Sequence, residues 1–314
     1  MQNKPIWSPQ DLESSLVMLL YHGVTSGPSI GIENFSRKHI DANEFERQMS
    51  LIKRKCTVLS IEDVVDIALR EQSWPKNPVV VSFDDGFKNN ATIAAPILDK
   101  FQIPAVFYIC AGMIETNCMF WVDQIEDCIN LTERYRICIE LDSVVTFELG
   151  SPEDRIQAVS AIKAFCKKSD VCDKNRILAN LMEATGVTPS FNHATNYKMM
   201  SWDEVKSIDR NSLFTIGGHT LYHDSLSAQT AENMRLDIQI SLGLLEYNLQ
   251  HPVKHYAYPE GQAYDYHQNV IDTLKEFGVV CSPTAIEGIN PDGSDLFHLH
   301  RIMPGFMGRA FPYD

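Results

Sequence analysis

The chain has 314 residues, of which 44% are apolar, and its formal net charge is −14 at pH 7. This apolar fraction excludes a disordered chain, and the length fits two small domains or one large α/β barrel. The acidic charge argues against a nucleic-acid-binding protein, because the densest basic run, Lys53-Arg54-Lys55, is too short to neutralise many phosphates. A neutral or weakly charged substrate suits this charge better.

The N-terminal residues and the cysteines indicate the cellular compartment of the protein. The first fifteen residues are polar, and the apolar run that follows, Leu16 to Tyr21, has only the length of a strand. No run approaches the ~20 apolar residues of a membrane span. The eight cysteines form no C-x-x-C pair and are typical of thiols in a reducing compartment, with disulfides as the alternative. We therefore expect a cytoplasmic protein, although a chain without its signal peptide would have the same sequence features.

Short apolar runs alternate with longer amphipathic stretches, which predicts βα units and a mostly parallel sheet. The predicted strands are, in chain order, Val17–Tyr21, Val79–Phe83, Ala105–Cys110, Leu213–Ile216, His255–Tyr258 and Gly278–Cys281. The predicted helices are Asp41–Lys53, Asn89–Lys100 and Thr230–Leu249. The last helix carries an apolar stripe at helical spacing: Met234, Ile238, Leu242, Leu245 and Leu249.

About ninety residues between Cys110 and Ser201 interrupt this alternation. They contain two β-like runs and two helices: Arg136–Leu141, Val144–Leu149, a helix that begins at the N-cap Ser151 before Pro152 and Asp154, and a helix that ends at Gly186. We interpret residues 112–200 as an inserted α/β cap within a single domain that spans residues 1–314.

Residues suited to chemistry follow the ends of four predicted strands. They are His22, the run Asp84-Asp85-Gly86, His219 and the run Pro259-Glu260-Gly261. The carboxyl ends of parallel strands gather on one rim of a barrel, where active sites lie. We therefore expect these four segments to converge on one site.

The adjacent carboxylates Asp84 and Asp85 would repel each other in a confined site. A divalent cation removes this conflict if one carboxylate binds the ion and the other remains a base. The alternative is an ordinary solvated Asp-Asp-Gly turn.

A second candidate for metal binding is the pair His219 and His223. In a helical turn, histidines four residues apart lie on one face and can share an ion, whereas two surface histidines are the alternative. The preceding Gly217-Gly218 requires tight packing or a sharp turn. Two histidines and one aspartate leave a coordination position open, and a metal in such a site activates water and polarises a carbonyl.

Three motifs in order resemble those of polysaccharide deacetylases, the NodB-homology or carbohydrate esterase family four enzymes. They are Ser82-Phe-Asp-Asp-Gly86, Gly218-His-Thr-Leu-Tyr-His223 and Tyr256-Ala-Tyr-Pro-Glu-Gly261. Smaller similarities are Leu20-Tyr-His-Gly-Val24, Met200-Ser-Trp-Asp-Glu-Val205 and His300-Arg-Ile302, so the resemblance extends from about Leu19 to Met303.

The resemblance implies an α/β fold of a distorted (β/α) barrel with fewer than eight strands, to which the α/β insertion is added. It implies Asp85, His219 and His223 as metal ligands and Asp84 as the base that deprotonates the attacking water. The backbone N–H of Glu260 is implied as a donor to the oxyanion. The family often has a tyrosine at that position, and many members have an arginine before the Pro-Tyr pair. We hypothesise that Arg301 supplies the missing cation.

The resemblance to polysaccharide deacetylases also bears on which residue is the general acid. Many members use a histidine near the C-terminus, whereas a subset that includes biofilm poly-N-acetylglucosamine deacetylases carries it in an N-terminal Tyr-His motif. Because this chain has Tyr21-His22, we predict His22, with His300 and then His298 as alternatives. An imidazole titrates near ~6.5 and can protonate a leaving amine; a histidine that only packs at the rim is the other interpretation of His22.

Further residues are candidates for substrate binding. Tyr258 and Pro259 belong to the third motif, and Trp121 and Asp123 begin the insertion, where they could stack on and hydrogen-bond a sugar ring. The alternative for Trp121 is a core residue at an ordinary helix N-terminus.

These observations predict a metal-dependent hydrolase that removes acetyl groups from N-acetylated sugars. Zn²⁺ is the expected ion, and Co²⁺, Ni²⁺, Fe²⁺ and Mn²⁺ are alternatives. The expected partner is an N-acetylated carbohydrate, either a polymer, an oligosaccharide, or a nucleotide- or lipid-linked precursor, and a precursor fits a cytoplasmic chain best. A hydrolase of another C–N bond and a non-catalytic sugar-binding or regulatory protein remain as alternatives. The oligomeric state is not predicted.

Overall fold

A computed structural model describes residues 7–169, 171–192 and 194–314. The chain divides into two compact units. The first contains residues up to 26 together with 36–116 and 199–314, and the second contains residues 27–35 and 117–198. Among the described residues, no helix has the length and apolar character needed to cross a membrane.

The described residues form nine strands and ten α-helices. The strands are β1 (Val17–Tyr21), β2 (Gly23–Thr25), β3 (His39–Asp41), β4 (Thr57–Val58), β5 (Pro78–Phe83), β6 (Ala105–Ile109), β7 (Arg136–Glu140), β8 (Val144–Glu148) and β9 (Phe214–Gly218). The helices are α1 (Pro9–Ser14), α2 (Ala42–Lys55), α3 (Ile61–Leu69), α4 (Ala95–Phe101), α5 (Trp121–Leu131), α6 (Pro152–Cys166), α7 (Val171–Thr185), α8 (Trp202–Asp209), α9 (Ala231–Leu249) and α10 (Gln268–Glu276).

A parallel sheet in the order β1-β5-β6-β9 forms the centre of the first unit, and β4 also pairs with β5. Every residue of β1, β5 and β6 is buried, which explains why these strands are nearly continuous apolar runs. The prediction of a mixed α/β fold with a parallel sheet is therefore confirmed.

Single parallel bridges continue the pairing at both edges of this sheet. Gly218 pairs with Tyr256 and His255 with Cys281 beyond β9, and Leu19 pairs with Ile302 beyond β1. The predicted strands 255–258 and 278–281 therefore occur only as single bridges. Pro259 has no N–H for a ladder, so the first of these segments is short.

The helices of the first unit bury the apolar faces that the sequence predicts. Asp41 caps α2 by accepting the N–H groups of Asn43 and Glu44. Thr230 caps α9, whose predicted apolar stripe is buried throughout. Both helices therefore begin one residue after the predicted start, at a capping side chain.

The helix predicted from Asn89 to Lys100 is only partly α-helical. It starts as a π turn, Asn90–Ala94, in which the N–H of Ala95 reaches the carbonyl of Asn90, and continues as α4. Pro96 lies at the beginning of α4 and has no N–H to donate to the preceding turn. The wider turn accommodates this missing bond, and π turns are frequent at functional sites.

The second unit has its own core and an antiparallel hairpin. Strands β7 and β8 pair with Ile137 opposite Phe147, and one face of β7 is buried against α5, α6 and α7 residues. Ser151 forms a capping box at the start of α6, and Gly186 has a φ of 71° after α7. The predicted β-like runs and helix boundaries lie at these positions.

The glycine pair before His219 is explained by close packing, because neither residue has a positive φ. A Cβ at Gly217 would lie 2.5 Å from the Tyr108 ring and 3.0 Å from the carbonyl oxygen of His255. In contrast, a Cβ at Gly243 of α9 would meet nothing within 4 Å.

We expect Gly217→Ala to lower the free energy of unfolding by about 1–3 kcal/mol, because the methyl group overpacks the sheet. Gly243→Ala is the matched control and should be neutral or stabilising by up to about 1 kcal/mol, since alanine favours a helix. Urea unfolding of both variants measures the difference. Equal stability of the two variants would contradict this account of the glycine pair.

Candidate active site

The two carboxylates follow β5 and are both buried. The N–H of Asp84 donates to the carbonyl oxygen of Tyr21 in β1, so the backbone after β5 is tied to the neighbouring strand. Asp85 has a φ of 80° and Gly86 a φ of 91°. A non-glycine residue is uncommon in this region, and such strain is typically retained at functional sites.

Arg301 binds Asp84 with both ends of its guanidinium group. Nη1 donates to Oδ1 and Nη2 to Oδ2, each at 2.7 Å, and Nε donates to the carbonyl of Thr284 at 2.6 Å. Burial by itself raises the pKa of Asp84, but the charge of Arg301 and its hydrogen bonds to the carboxylate outweigh this effect and lower the pKa to about 2. Asp84 is therefore ionised and held in one orientation.

Both histidines of the second motif face Asp85. Its Oδ1 atom lies 3.6 Å from Nε2 of His219 and 3.5 Å from Nε2 of His223. Nδ1 of His219 lies 2.8 Å from the carbonyl oxygen of Ala257, which can only accept, so Nδ1 carries the proton and Nε2 presents its lone pair. Burial lowers the pKa of both imidazoles, which favours the neutral form that binds metals.

These three side chains fit a divalent ion. The three ligand atoms lie within 4.8 Å of one another. Ligands on a zinc-like ion are bound at about 2.0–2.2 Å in tetrahedral geometry, which separates neighbouring ligand atoms by about 3.5 Å. The two separations from Oδ1 of Asp85 match this value, and the mixture of imidazole and carboxylate suits a borderline transition metal.

The predicted helical turn between the histidines is wrong. His219 and His223 lie in an irregular loop after β9, and both Thr220 and His223 have a φ of 64°. The hydroxyl of Tyr256 accepts the N–H of Thr220 at 2.8 Å, and Asp237 of α9 accepts the next N–H at 2.9 Å. These two bonds replace the hydrogen bonds of a helix, yet the imidazoles still meet at one point.

The sequence did not predict three residues that support the metal-binding cluster. They are Tyr256, Asp237 and Cys110, whose thiol donates to the carbonyl oxygen of His219 at 3.0 Å. The sequence offered a reason to single out Asp237, because it is an acid beside the apolar stripe of α9, and the structure buries it. It offered no such reason for Cys110, because the predicted strand that ends there is apolar.

His22 follows β1 and lies close enough to Asp84 and Lys38 for their charges to act on its ring. Within the described residues, its buried Nδ1 atom has no hydrogen-bond partner. Burial is the main effect and lowers the pKa of His22 to about 3, so the resting imidazole is neutral.

The alternative histidines lie elsewhere. Successive side chains of an extended segment point to opposite sides, and Arg301 points to Asp84. His300 instead packs against Gly288, and no charge of the carboxylate pair acts on it. His298 pairs with Asp295 at 2.9 Å.

The third motif brings Glu260 close to the cluster. Burial lowers the pKa of His223, and the Glu260 carboxylate opposes this effect. Glu260 has a φ of 58°, and Gly261 donates its N–H to the carbonyl of Pro259 at 2.6 Å. The ring of Tyr258 is buried and stacks on Tyr266 with centroids 4.1 Å apart, so it supports this loop from inside.

The two candidates of the insertion belong to the second unit. Trp121 is the first residue of α5, and the ammonium group of Lys174 lies 5.7 Å from the centre of its ring. Asp123 is buried on the same helix. Their contact with a sugar stays a prediction, as does that of Tyr258 and Pro259.

A family model described as polysaccharide deacetylase matches residues 71–141 and 169–282, which is more than half of the chain. The chain belongs to the polysaccharide deacetylase family. The recognition made from the three motifs is thereby confirmed, and carbohydrate deacetylation is the activity of this family. A search of curated proteins found no match.

Solved structures share the fold. IcaB from Ammonifex degensii is 19% identical, with 93% of this chain and 92% of that chain covered and a TM-score of 0.60. The Streptococcus pyogenes deacetylase PplD, in complex with acetate, is 15% identical, with 93% of each chain covered and a TM-score of 0.57. A de-N-acetylase from Aggregatibacter actinomycetemcomitans is 16% identical, with coverages of 92% and 94% and a TM-score of 0.55.

The ligand geometry predicts that the purified protein binds one divalent ion and that His223→Ala weakens this binding by more than roughly 100-fold. Even the loss of an outer-shell partner costs ~10–100-fold, and a ligand contributes more. Competition with a chromophoric chelator measures the affinity. His251→Ala is the control, because His251 pairs with Asp209 at the surface and should leave the affinity unchanged. Wild-type affinity in His223→Ala would exclude this ligand set.

Proposed function

We propose that the chain is a metal-dependent carbohydrate N-deacetylase that hydrolyses an acetamido group to acetate and a free amine. The observation that carries the proposal is the buried, ionised Asp84, which Arg301 fixes beside the Asp85–His219–His223 cluster. A base of fixed orientation next to a three-ligand metal site is what the hydrolysis of an unactivated amide needs.

Asp85, His219 and His223 would hold the metal. When bound, a divalent ion lowers the pKa of a water molecule and polarises the amide carbonyl. We propose Zn²⁺ as the ion, with Co²⁺, Ni²⁺, Fe²⁺ and Mn²⁺ as alternatives, because an imidazole and carboxylate set accepts all of them.

Asp84 and the third motif have separate tasks in this proposal. Asp84 accepts the proton of the attacking water, and Arg301 holds the carboxylate in position for that transfer. The N–H of Glu260 donates to the oxygen on which negative charge develops. Its left-handed backbone turns the chain at this point, next to His223.

His22 delivers a proton to the departing amine. Because burial keeps the resting imidazole neutral, the ring takes up a proton from solvent only when negative charge develops beside it during the reaction, and it passes this proton to the amine nitrogen as the C–N bond breaks. Asp84 then releases the proton of the attacking water to solvent. The neighbouring charge of Asp84 raises the pKa of His22 and thus favours this uptake. His300 is excluded from this role in the proposal, because its ring packs against Gly288.

We also propose that the parallel sheet closes into a distorted barrel of fewer than eight strands. The bridges to Tyr256, Cys281 and Ile302 support this, together with hydrogen bonds from Thr284 to Leu299 and from Arg301 to Ile286. The predicted insertion at about residues 112–200, most of which lies in the second unit, then belongs to this one domain, and its role as a cap stays a prediction.

The proposed substrate is an N-acetylated sugar, either free, in an oligomer, or in a linked precursor. The acetate described for the Streptococcus pyogenes deacetylase PplD is the product that this reaction requires. Glu260 is the observation that favours a second candidate, a non-catalytic sugar-binding protein, because it brings a carboxylate where relatives often have a tyrosine.

The decisive experiment measures acetate release from N-acetylglucosamine oligomers and UDP-N-acetylglucosamine with metal-stripped and metal-restored protein. We expect activity only after metal is restored, and we expect Asp84→Asn to lower kcat at least ~100-fold while metal affinity is kept, since Asp84 is the base and not a ligand. Asp203→Asn is the control, because Asp203 is an exposed acid in the first turn of α8, and it should leave kcat unchanged. Metal-loaded wild-type protein that binds these sugars without releasing acetate would support the non-catalytic candidate instead.

The histidine variants separate the candidate acids. We expect His22→Asn to lower kcat at least ~100-fold and to alter the pH–rate profile, because general acid catalysis contributes about 10²–10⁴-fold. His300→Asn should leave kcat and the profile unchanged. An unchanged pH–rate profile in His22→Asn would remove His22 from the mechanism.

A further inference from the structure

The segment that follows the two carboxylates also reaches the loop that carries His22. Asn90 is fully buried, and its Nδ2 atom donates to the carbonyl oxygen of His22 at 2.8 Å. His22 itself lies between β1 and β2, outside both strands. Its backbone is therefore fixed in part by a side chain from the segment after Asp84 and Asp85.

The preceding residue, Asn89, bonds the same stretch of chain two residues after His22. Oδ1 of Asn89 accepts the N–H of Val24 at 3.3 Å, and its Nδ2 atom lies 2.8 Å from Nδ1 of His39. His39 pairs with Gly23 across β2 and β3. Two consecutive asparagines thus hold the chain at His22 and two residues after it.

Local geometry explains how consecutive side chains reach one loop. Asn90 begins the π turn, which is wider than an α-helical turn, and Pro96 favours this turn by removing a donor. Gly23 permits the close approach, because a Cβ there would lie 2.7 Å from Oδ1 of Asn89. A larger residue at Gly23 would push the His22 loop away from the asparagines.

We infer that Asn90 is a positioning residue that holds the imidazole of His22 in register with Asp84. The base and the proton donor then belong to one hydrogen-bonded unit, because Asp84 donates its N–H to Tyr21 and Asn90 donates to His22. This inference rests on the proposed role of His22 in deacetylation. It assigns Asn90 no contact with the substrate or the metal.

The test replaces Asn90 with its apolar isostere, Asn90→Leu, and with Asn90→Ala as a second variant in case the first fails to fold. We expect kcat for acetate release to fall about 10–100-fold, since a displacement of about 1 Å can cost 10²-fold. KM and the affinity for Zn²⁺ should stay within about twofold of wild type. The matched control is Asn248→Leu, whose amide bonds the carbonyl of Leu244 in α9 and should leave kcat unchanged.

The decisive comparison repeats Asn90→Leu in a His22→Asn background. If Asn90 acts through His22, its replacement there lowers the remaining kcat by less than about threefold. An equal loss of kcat in both backgrounds, or a loss of Zn²⁺ affinity, would overturn the inference while leaving the proposed function intact. A metal-loaded wild-type protein that releases no acetate would instead overturn the proposed function itself.

Discussion

The buried ion pair between Asp84 and Arg301 is the interaction on which the site depends. Two ionised groups in the protein interior are stable only when each satisfies the other, and removal of one partner typically costs about 3–5 kcal/mol. Here the pairing is bidentate, and the remaining Nε of Arg301 is satisfied by Thr284. The pair therefore joins the end of β5 to the C-terminal segment of the chain.

The same ion pair imposes a chemical compromise. Arg301 fixes the orientation of Asp84, but it also lowers the pKa of the carboxyl to about 2 and makes it a weaker base. The proposed mechanism therefore needs an activated water, which is the contribution of a metal at Asp85 and the two histidines. Arg301 thus fixes the orientation of the Asp84 carboxylate. A lower pKa of the attacking water offsets the weaker basicity of that carboxylate.

The left-handed backbone at Asp85, His223 and Glu260 fits this view of the site. Each residue lies in a loop after a strand or bridge segment, where the backbone must turn sharply to bring a functional group to the cluster. Tyr256 and Asp237 accept the backbone N–H groups of Thr220 and Leu221 and so hold one of these turns. The surrounding structure thus maintains conformations that isolated chains seldom adopt.

The sequence predicted the parallel sheet, the starts of α2 and α9 to within one residue and the N-cap Ser151, because apolar periodicity and capping residues report local structure directly. The motifs and their resemblance to a family predicted the residues that meet at the cluster. The sequence did not predict the loop between His219 and His223. The spacing of the histidines cannot reveal that Tyr256 and Asp237 accept the backbone N–H groups of this loop. The π turn at Asn90 was missed for a related reason: Pro96 lies inside a segment whose apolar residues still fit a helix. The low pKa of His22 depends on burial, which no local motif contains.

The most direct test of the account is the pH dependence of kcat/KM in Arg301 variants with full metal loading. Asp84 must be ionised to act as the base, so activity is lost as the pH falls through its pKa. Arg301 is the largest influence that lowers this pKa, so removal of the guanidinium raises it. The account predicts that the acidic limb moves to higher pH in Arg301→Lys and further in Arg301→Met, whereas Arg309→Met, at a surface ion pair with Glu287, leaves it unchanged. An acidic limb at the wild-type position in Arg301→Met would contradict the central role of the ion pair.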